Sequence, residues 1–147
     1  MAFTRSKTYT LEAAQEAIQR YCAYQERCQS EVEERLRSMG VLLEAQAELV
    51  ADLMAHGYLN EERFARAFAR GKFRIKGWGP HKIAQGLHAK RVSGACISLG
   101  LSELDEVEVR EYLLRQREKY PDDQEFLAWA YRRGYDRSSA LEALKGG

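Results

Sequence analysis

An all-α fold is predicted by three features of this 147-residue chain. It holds two prolines, Pro80 and Pro121, so long stretches run without a helix breaker. Strand-like alternation is almost absent. Apolar residues instead recur three and four apart, between residues that cap helix ends. A composition of 45% hydrophobic and 31% charged residues is that of a folded soluble domain and excludes wholesale disorder. No apolar run approaches the roughly 20 residues that a spanning helix needs. Residues Met1 to Thr10 lack the apolar centre of a secretion signal, so a cytoplasmic protein with no membrane association is expected.

The elements follow in order. Thr10 before Leu11-Glu12-Ala13 reads as an N-cap, and the first helix is expected to reach about Gln25. Ser30 with Glu33 reads as a capping box for a helix closing at Gly40. A third helix is predicted from Glu44 to Gly57. Asn60 caps the next, where Glu61 and Glu62 suit the positive helix end. Gly77-Trp78-Gly79-Pro80 breaks the chain, with Pro80 at a first helical position. That fifth helix ends near Lys90-Arg91-Val92, and a short segment from Gly94 to Leu101 follows. Helices from Asp105 to Lys119 and from Pro121-Asp122-Asp123 to Gly134 come next, before a last one capped by Asp136.

Nine helices divide into three sets of three. The middle helices share a pattern of apolar residue, apolar residue four later, helix stop and apolar residue. It reads Val32, Leu36, Gly40, Val41, then Ile83, Leu87, Arg91, Val92, then Phe126, Ala130, Gly134, Tyr135. The expected architecture is three tandem three-helix repeats in an elongated, curved row. It comprises an N-terminal tail (1–10), then repeats over 11–57, 58–102 and 103–147, with hinges near 57–60 and 101–105. Each set is too short to bury a good core alone, so neighbours should pack.

Charge is segregated along the chain. Residues 63–102 contain no acid and nine bases: Arg63, Arg66, Arg70, Lys72, Arg74, Lys76, Lys82, Lys90 and Arg91. Residues 11–62 carry eleven acids against four bases, and residues 103–147 eleven against eight. A central positive block points to a polyanion or to an acidic protein groove. On the helix after Asn60, Arg63, Arg66, Arg70 and Arg74 fall within an arc of roughly 80°. Phe64, Phe68 and Ile75 fall together and read as its core stripe. Lys72 and Lys76 lie beyond that stripe. No acid follows Arg66, Arg70 or Arg74 at three or four residues, so the arginine ridge is expected to stay open for a partner.

Catalytic patterns are missing from the sequence. Gly77-Trp78-Gly79 lacks the spacing and ending of a phosphate-binding loop, and no zinc-protease or serine-hydrolase motif occurs. The basic zone has no carboxylate to hold a nuclease metal. His81 and His88 stand two turns apart, too far to share a metal. Cys22, Cys28 and Cys96 read as reduced, packed thiols. No enzyme activity, cofactor or metal is expected. Trp78 reads as a satellite core residue, with base stacking the alternative.

Gly57-Tyr58-Leu59-Asn60-Glu61-Glu62-Arg63-Phe64-Ala65, followed by Lys76-Gly77, Ile83, Leu87 and Lys90, resembles the second repeat of the RecX family of regulatory proteins. Tyr21-Cys22-Ala23-Tyr24-Gln25-Glu26-Arg27-Cys28 before Ser30-Glu31-Val32 is similar to the first-repeat motif in a branch of that family. Arg91 stands where the family usually has glycine. The resemblance implies a monomeric modulator lying in the groove of the filament of RecA recombinase on single-stranded DNA. Such a modulator limits filament extension, ATP hydrolysis, strand exchange and coprotease activity. The positive middle unit would face DNA phosphate or acidic RecA surface. The alternatives are a direct nucleic-acid binder with helix-turn-helix-like units, read through Lys82, Gln85 and Lys90-Arg91, and an adaptor for another acidic protein.

Overall fold

The structure, a computed structural model, describes residues 9–146, and these form nine α-helices and no strand. They are α1 (Leu11–Tyr24), α2 (Gln29–Ser38), α3 (Leu43–Ala55), α4 (Glu61–Lys76), α5 (Pro80–Ala89), α6 (Gly94–Leu101), α7 (Glu106–Arg117), α8 (Asp123–Arg133) and α9 (Arg137–Leu144). Residues 1–8 of the expected tail lie outside the described residues. Tyr9 packs on the first core, and the Thr10 hydroxyl accepts from the Ala13 amide at 3.1 Å, so both belong to the fold.

Helices α1, α2 and α3 close around Ile18, Val32, Leu36 and Leu53, each 1% exposed or less. In the centre, α4 packs along α6 with α5 across both, over Phe64, Phe73, Ile83 and Leu87. In the third group α9 packs on α7 and α8, around Leu113, Phe126, Trp129 and Tyr135. The cores are not insulated from one another. Cys28, from the turn before α2, is fully buried in the central core. Val109 and Tyr112 of α7 pack against both the central and the third core.

The middle helices end alike. The Val41 amide donates to Leu36 O at 3.1 Å, Val92 to Leu87 O at 3.1 Å, and Tyr135 to Ala130 O at 3.0 Å. Each bond requires a left-handed residue just before the donor. Gly40 (φ 80°) and Gly134 (φ 91°) supply it without strain, whereas Arg91 adopts φ 61° despite its side chain. Gly134 is doubly constrained, because a Cβ there would run into the Lys82 backbone.

The start of α2 differs from expectation. Its N-cap is Cys28, and Glu31, not Glu33, closes the box by accepting from the Cys28 amide at 3.1 Å. Ser30 lies inside the helix and donates to Lys90 O at 2.7 Å, so a hydroxyl expected to cap its own helix serves the neighbouring group. Glu61 does the converse. At the first position of α4, it accepts the Gln29 amide at 2.9 Å and so satisfies the beginning of α2.

Hydrogen bonds join the central group to both of its neighbours. Arg63 donates to Gly57 O at 3.0 Å and Tyr58 O at 3.3 Å, holding 57–60 against α4. Across the other boundary, the Gly79 amide donates to Arg133 O at 2.7 Å and the His81 amide to Gly134 O at 2.9 Å. Tyr135 Oη donates to Gly77 O at 2.9 Å; burial pushes this phenol well above its ordinary range, which keeps the donor proton in place. Turn thus docks on turn, through backbone.

Two stability outcomes follow from these turns. Arg91→Gly relieves the left-handed strain, partly offset by a freer unfolded chain, and should stabilise the protein by about 0.5–1 kcal/mol in denaturant titration. Gly134→Ala meets both strain and the Lys82 backbone, and should destabilise it by about 2 kcal/mol or more in the same assay.

Candidate interaction surface

The nine cations of the basic block sit on α4, on α5 and in the turn after it, but most of the arginine ridge is not open. Arg66 Nε lies 3.0 Å from Glu62 Oε2 and its Nη1 lies 2.8 Å from Glu103 Oε2. Arg70 binds the other oxygen of Glu103, and Arg74 lies 3.4 Å from Glu108. Arg63 pairs with Glu26 at 2.7 Å. Lys90 pairs with Glu31 at 2.9 Å. The expectation of an unneutralised ridge is therefore corrected. Glu62 lies four residues before Arg66, not after it, and the fold brings Glu26, Glu103 and Glu108 from outside the block.

These ties shift the proton affinities of their partners. The Arg70 and Arg66 guanidinium groups hold the Glu103 carboxyl below its ordinary value. For Glu31, burial pushes upward, but hydrogen bonds from Lys90 and the Cys28 amide outweigh it and leave the carboxyl lowered. The Lys90 ammonium is correspondingly raised by Glu31. Stability from the two carboxylates is present above 4.5, their ordinary value, and is lost as pH falls through their lowered folded values.

Four members of the block, Lys72, Lys76, Lys82 and Arg91, have no carboxylate within ion-pair distance among the described residues. Lys72 and Lys82 place their ammonium groups 4.8 Å and 4.9 Å from the Trp78 ring centroid. Trp78 is half-buried and packs edge-on against Phe68 with centroids 6.4 Å apart, so the satellite-core reading of this residue holds. The sequence reasoning missed the role of Glu103 and Glu108 altogether. Only their position just beyond the acid-free stretch hinted at it.

The assumed core stripe of α4 is also corrected. Its buried residues are Phe64, Ala65, Ala69 and Phe73, whereas Ile75 is 81% exposed. Ala65, Ala69 and Phe73 fall about 80° or more around the helix from Phe64 and Ile75. The Phe64–Phe68–Ile75 stripe instead lines an open groove of about 610 Å³. A second groove, of about 650 Å³, lies between α5 and α8–α9, where Lys82 and Gln85 face Tyr131, Arg132 and Arg137. His81 there pairs with Asp136. The three cysteines are free thiols, and Cys22 and Cys28 are buried. No group of three or more histidine, cysteine, aspartate or glutamate side chains converges as a metal set among the described residues. No helix there is long and apolar enough to cross a membrane.

Fold and surface together define an all-helical protein in three packed groups, with ion pairs along the central one. Residues 60–101 match the family model described as RecX, second three-helix domain. The regulatory protein RecX of Thermotoga sp. (strain RQ2) is 31% identical over 126 residues, covering 85% of this chain and 78% of that protein. That of Bacillus mycoides (strain KBAB4) is 28% identical over 138 residues, covering 85% of this chain and 51% of its own length. The crystal structure of RecX from Lactobacillus salivarius superposes with a TM-score of 0.86 at 18% identity, covering 92% of this chain and 95% of that one, and shares the fold. The chain belongs to the RecX family.

Acidification supplies the test of the paired ridge. Below about pH 4.5 thermal stability should fall, and Glu103→Gln should lower the melting temperature at neutral pH while reducing the acid-induced loss, as read by circular dichroism. Equal acid sensitivity in wild type and variant would show that this carboxylate ties nothing.

Proposed function

We propose that this chain is a non-enzymatic regulator that lies in the groove of a RecA–single-stranded DNA filament and restrains its extension, ATP hydrolysis and strand exchange. The family supports this reading, as its relatives carry the name regulatory protein RecX. The observation that carries it is the division of labour within the basic block. Arg63, Arg66, Arg70, Arg74 and Lys90 hold the neighbouring helices through internal carboxylates, while Lys72, Lys76, Lys82 and Arg91 keep their charge for a partner. A row of helical groups following the filament groove makes several weak contacts at once, which add through effective concentration.

The mechanism needs no bond chemistry. Ammonium groups beside an aromatic surface provide electrostatic attraction to phosphate or carboxylate, at a strength that salt reduces. The paired arginines keep the central helices in register with their neighbours, so that the free lysines are presented on a fixed frame.

A second reading, direct nucleic-acid binding, is favoured by the groove in which Lys82 and Gln85 face Arg132 and Arg137. A mobility-shift assay without recombinase separates the two. Retardation of specific duplexes at physiological salt supports the second, and retention dependent on the filament supports the first.

The decisive variant is the triple substitution Lys72→Glu, Lys76→Glu and Lys82→Glu. It should abolish inhibition of RecA ATP hydrolysis on single-stranded DNA while helical content stays unchanged. Reversing Arg66, Arg70 and Arg74 is a poorer probe, because it also removes the ties to Glu103 and Glu108. Normal inhibition by the lysine triple variant would remove these residues from the working surface.

A further inference from the structure

The outer face of α4 carries an apolar stripe that the described residues leave partly uncovered. Phe64, Ala67, Phe68, Gly71 and Ile75 line the groove of about 610 Å³ that runs past the α1–α2 turn. Phe64 is buried at one end, Phe68 is half-buried, and Ile75 is 81% exposed at the other. Gly71 sits in the interior of a 16-residue helix, where glycine costs about 1 kcal/mol relative to alanine. Among the described residues nothing lies within 4 Å of where its Cβ would stand, so no packing demand there requires glycine. The missing side chain leaves a notch in the groove floor, midway between Phe68 and Ile75.

The charges around this floor are unequal. At the Phe64 end the groove is lined by Glu26, Glu31 and Lys90, but Glu26 is matched by Arg63 and Glu31 by Lys90. Lys76 stands at the Ile75 end, and the Lys72 ammonium lies along the floor, 5.4 Å from the Phe68 ring centroid; neither has a carboxylate partner among the described residues. We infer that the groove receives an acidic amphipathic helix of a partner protein, its apolar residues on Phe68 and Ile75, its backbone closest at Gly71, and its carboxylates on Lys72 and Lys76. A nucleic-acid strand suits the groove less. Two lysines make no phosphate track. The inference deepens the filament reading by naming the chemistry of the partner contact, and rests on that reading only for the partner's identity.

The test needs no recombinase. A fluorescent synthetic helix of about 16 residues, matched to α4 in length, with leucines on one stripe and glutamates beside it, is titrated against the full chain by anisotropy. Amide shifts are followed by NMR. Binding should shift Ala67, Gly71 and Ile75 and weaken with salt. Gly71→Leu fills the notch where space is open and helix propensity improves, so its melting temperature should not fall, yet peptide affinity should drop about tenfold or more. Lys72→Glu with Lys76→Glu should cause a similar loss and flatten the salt dependence. Affinity unchanged in Gly71→Leu, or equal binding of the same peptide with lysines for glutamates, overturns the inference. So does an oligothymidylate shifting the same amides, or self-association of the chain that Gly71→Leu abolishes. None of these failures bears on the lysine triple variant in the filament assay, which tests the filament reading separately.

Discussion

Arg63 on one side and Arg66, Arg70 and Arg74 on the other reach across the two boundaries of the central helical group, and each finds a carboxylate there. The segregation of charge along the chain is thereby converted into adhesion between successive groups. An exposed pair contributes little by itself, commonly between ~0 and 1 kcal/mol. Here the pairs act beside backbone bonds and shared apolar residues. Cys28 enters the central core from the first group, and Tyr112 touches both the central and third cores. The ion pairs select which faces meet, while the buried contacts supply most of the cohesion.

The second boundary shows the same division between direction and strength. Gly79 and His81 join the two turns through main-chain amides, and the Tyr135 phenol adds a buried bond to Gly77 O, so the turns meet closely. A Cβ on Gly79 would stand 2.6 Å from Gly134 O. Close backbone approach fixes the angle between α5 and α8, and so fixes the shape of the groove in which Lys82 faces Arg132 and Arg137. The surface available to a partner is thus set by contacts that the partner never touches.

Much of the fold was legible in local sequence. Thr10 and Asn60 cap helices as expected, Asp105 caps α7 where the helix was expected to begin, Pro80 opens α5, and Gly77 and Gly134 close α4 and α8 in left-handed geometry. These signals act within one turn of chain. The start of α2 was misread because two overlapping boxes, Cys28–Glu31 and Ser30–Glu33, compete, and Ser30 is drawn away by Lys90. The surface was less legible for a related reason. A helical wheel places Ile75 beside Phe64 but does not say which side of α4 receives α6, and it does not reveal Glu103 opposite Arg66 and Arg70. Pairing across distant segments is a property of packing, not of spacing.

Glu61 begins α4, yet its carboxylate also receives the first amide of α2, 32 residues earlier. When α4 frays, that amide loses its acceptor and Cys28 loses its enclosing wall. Local opening events in the two groups are therefore thermodynamically linked. Such a molecule melts as larger cooperative blocks than a string of independent beads would, and the exchange protection of one amide at Gln29 reports whether a distant helix is folded.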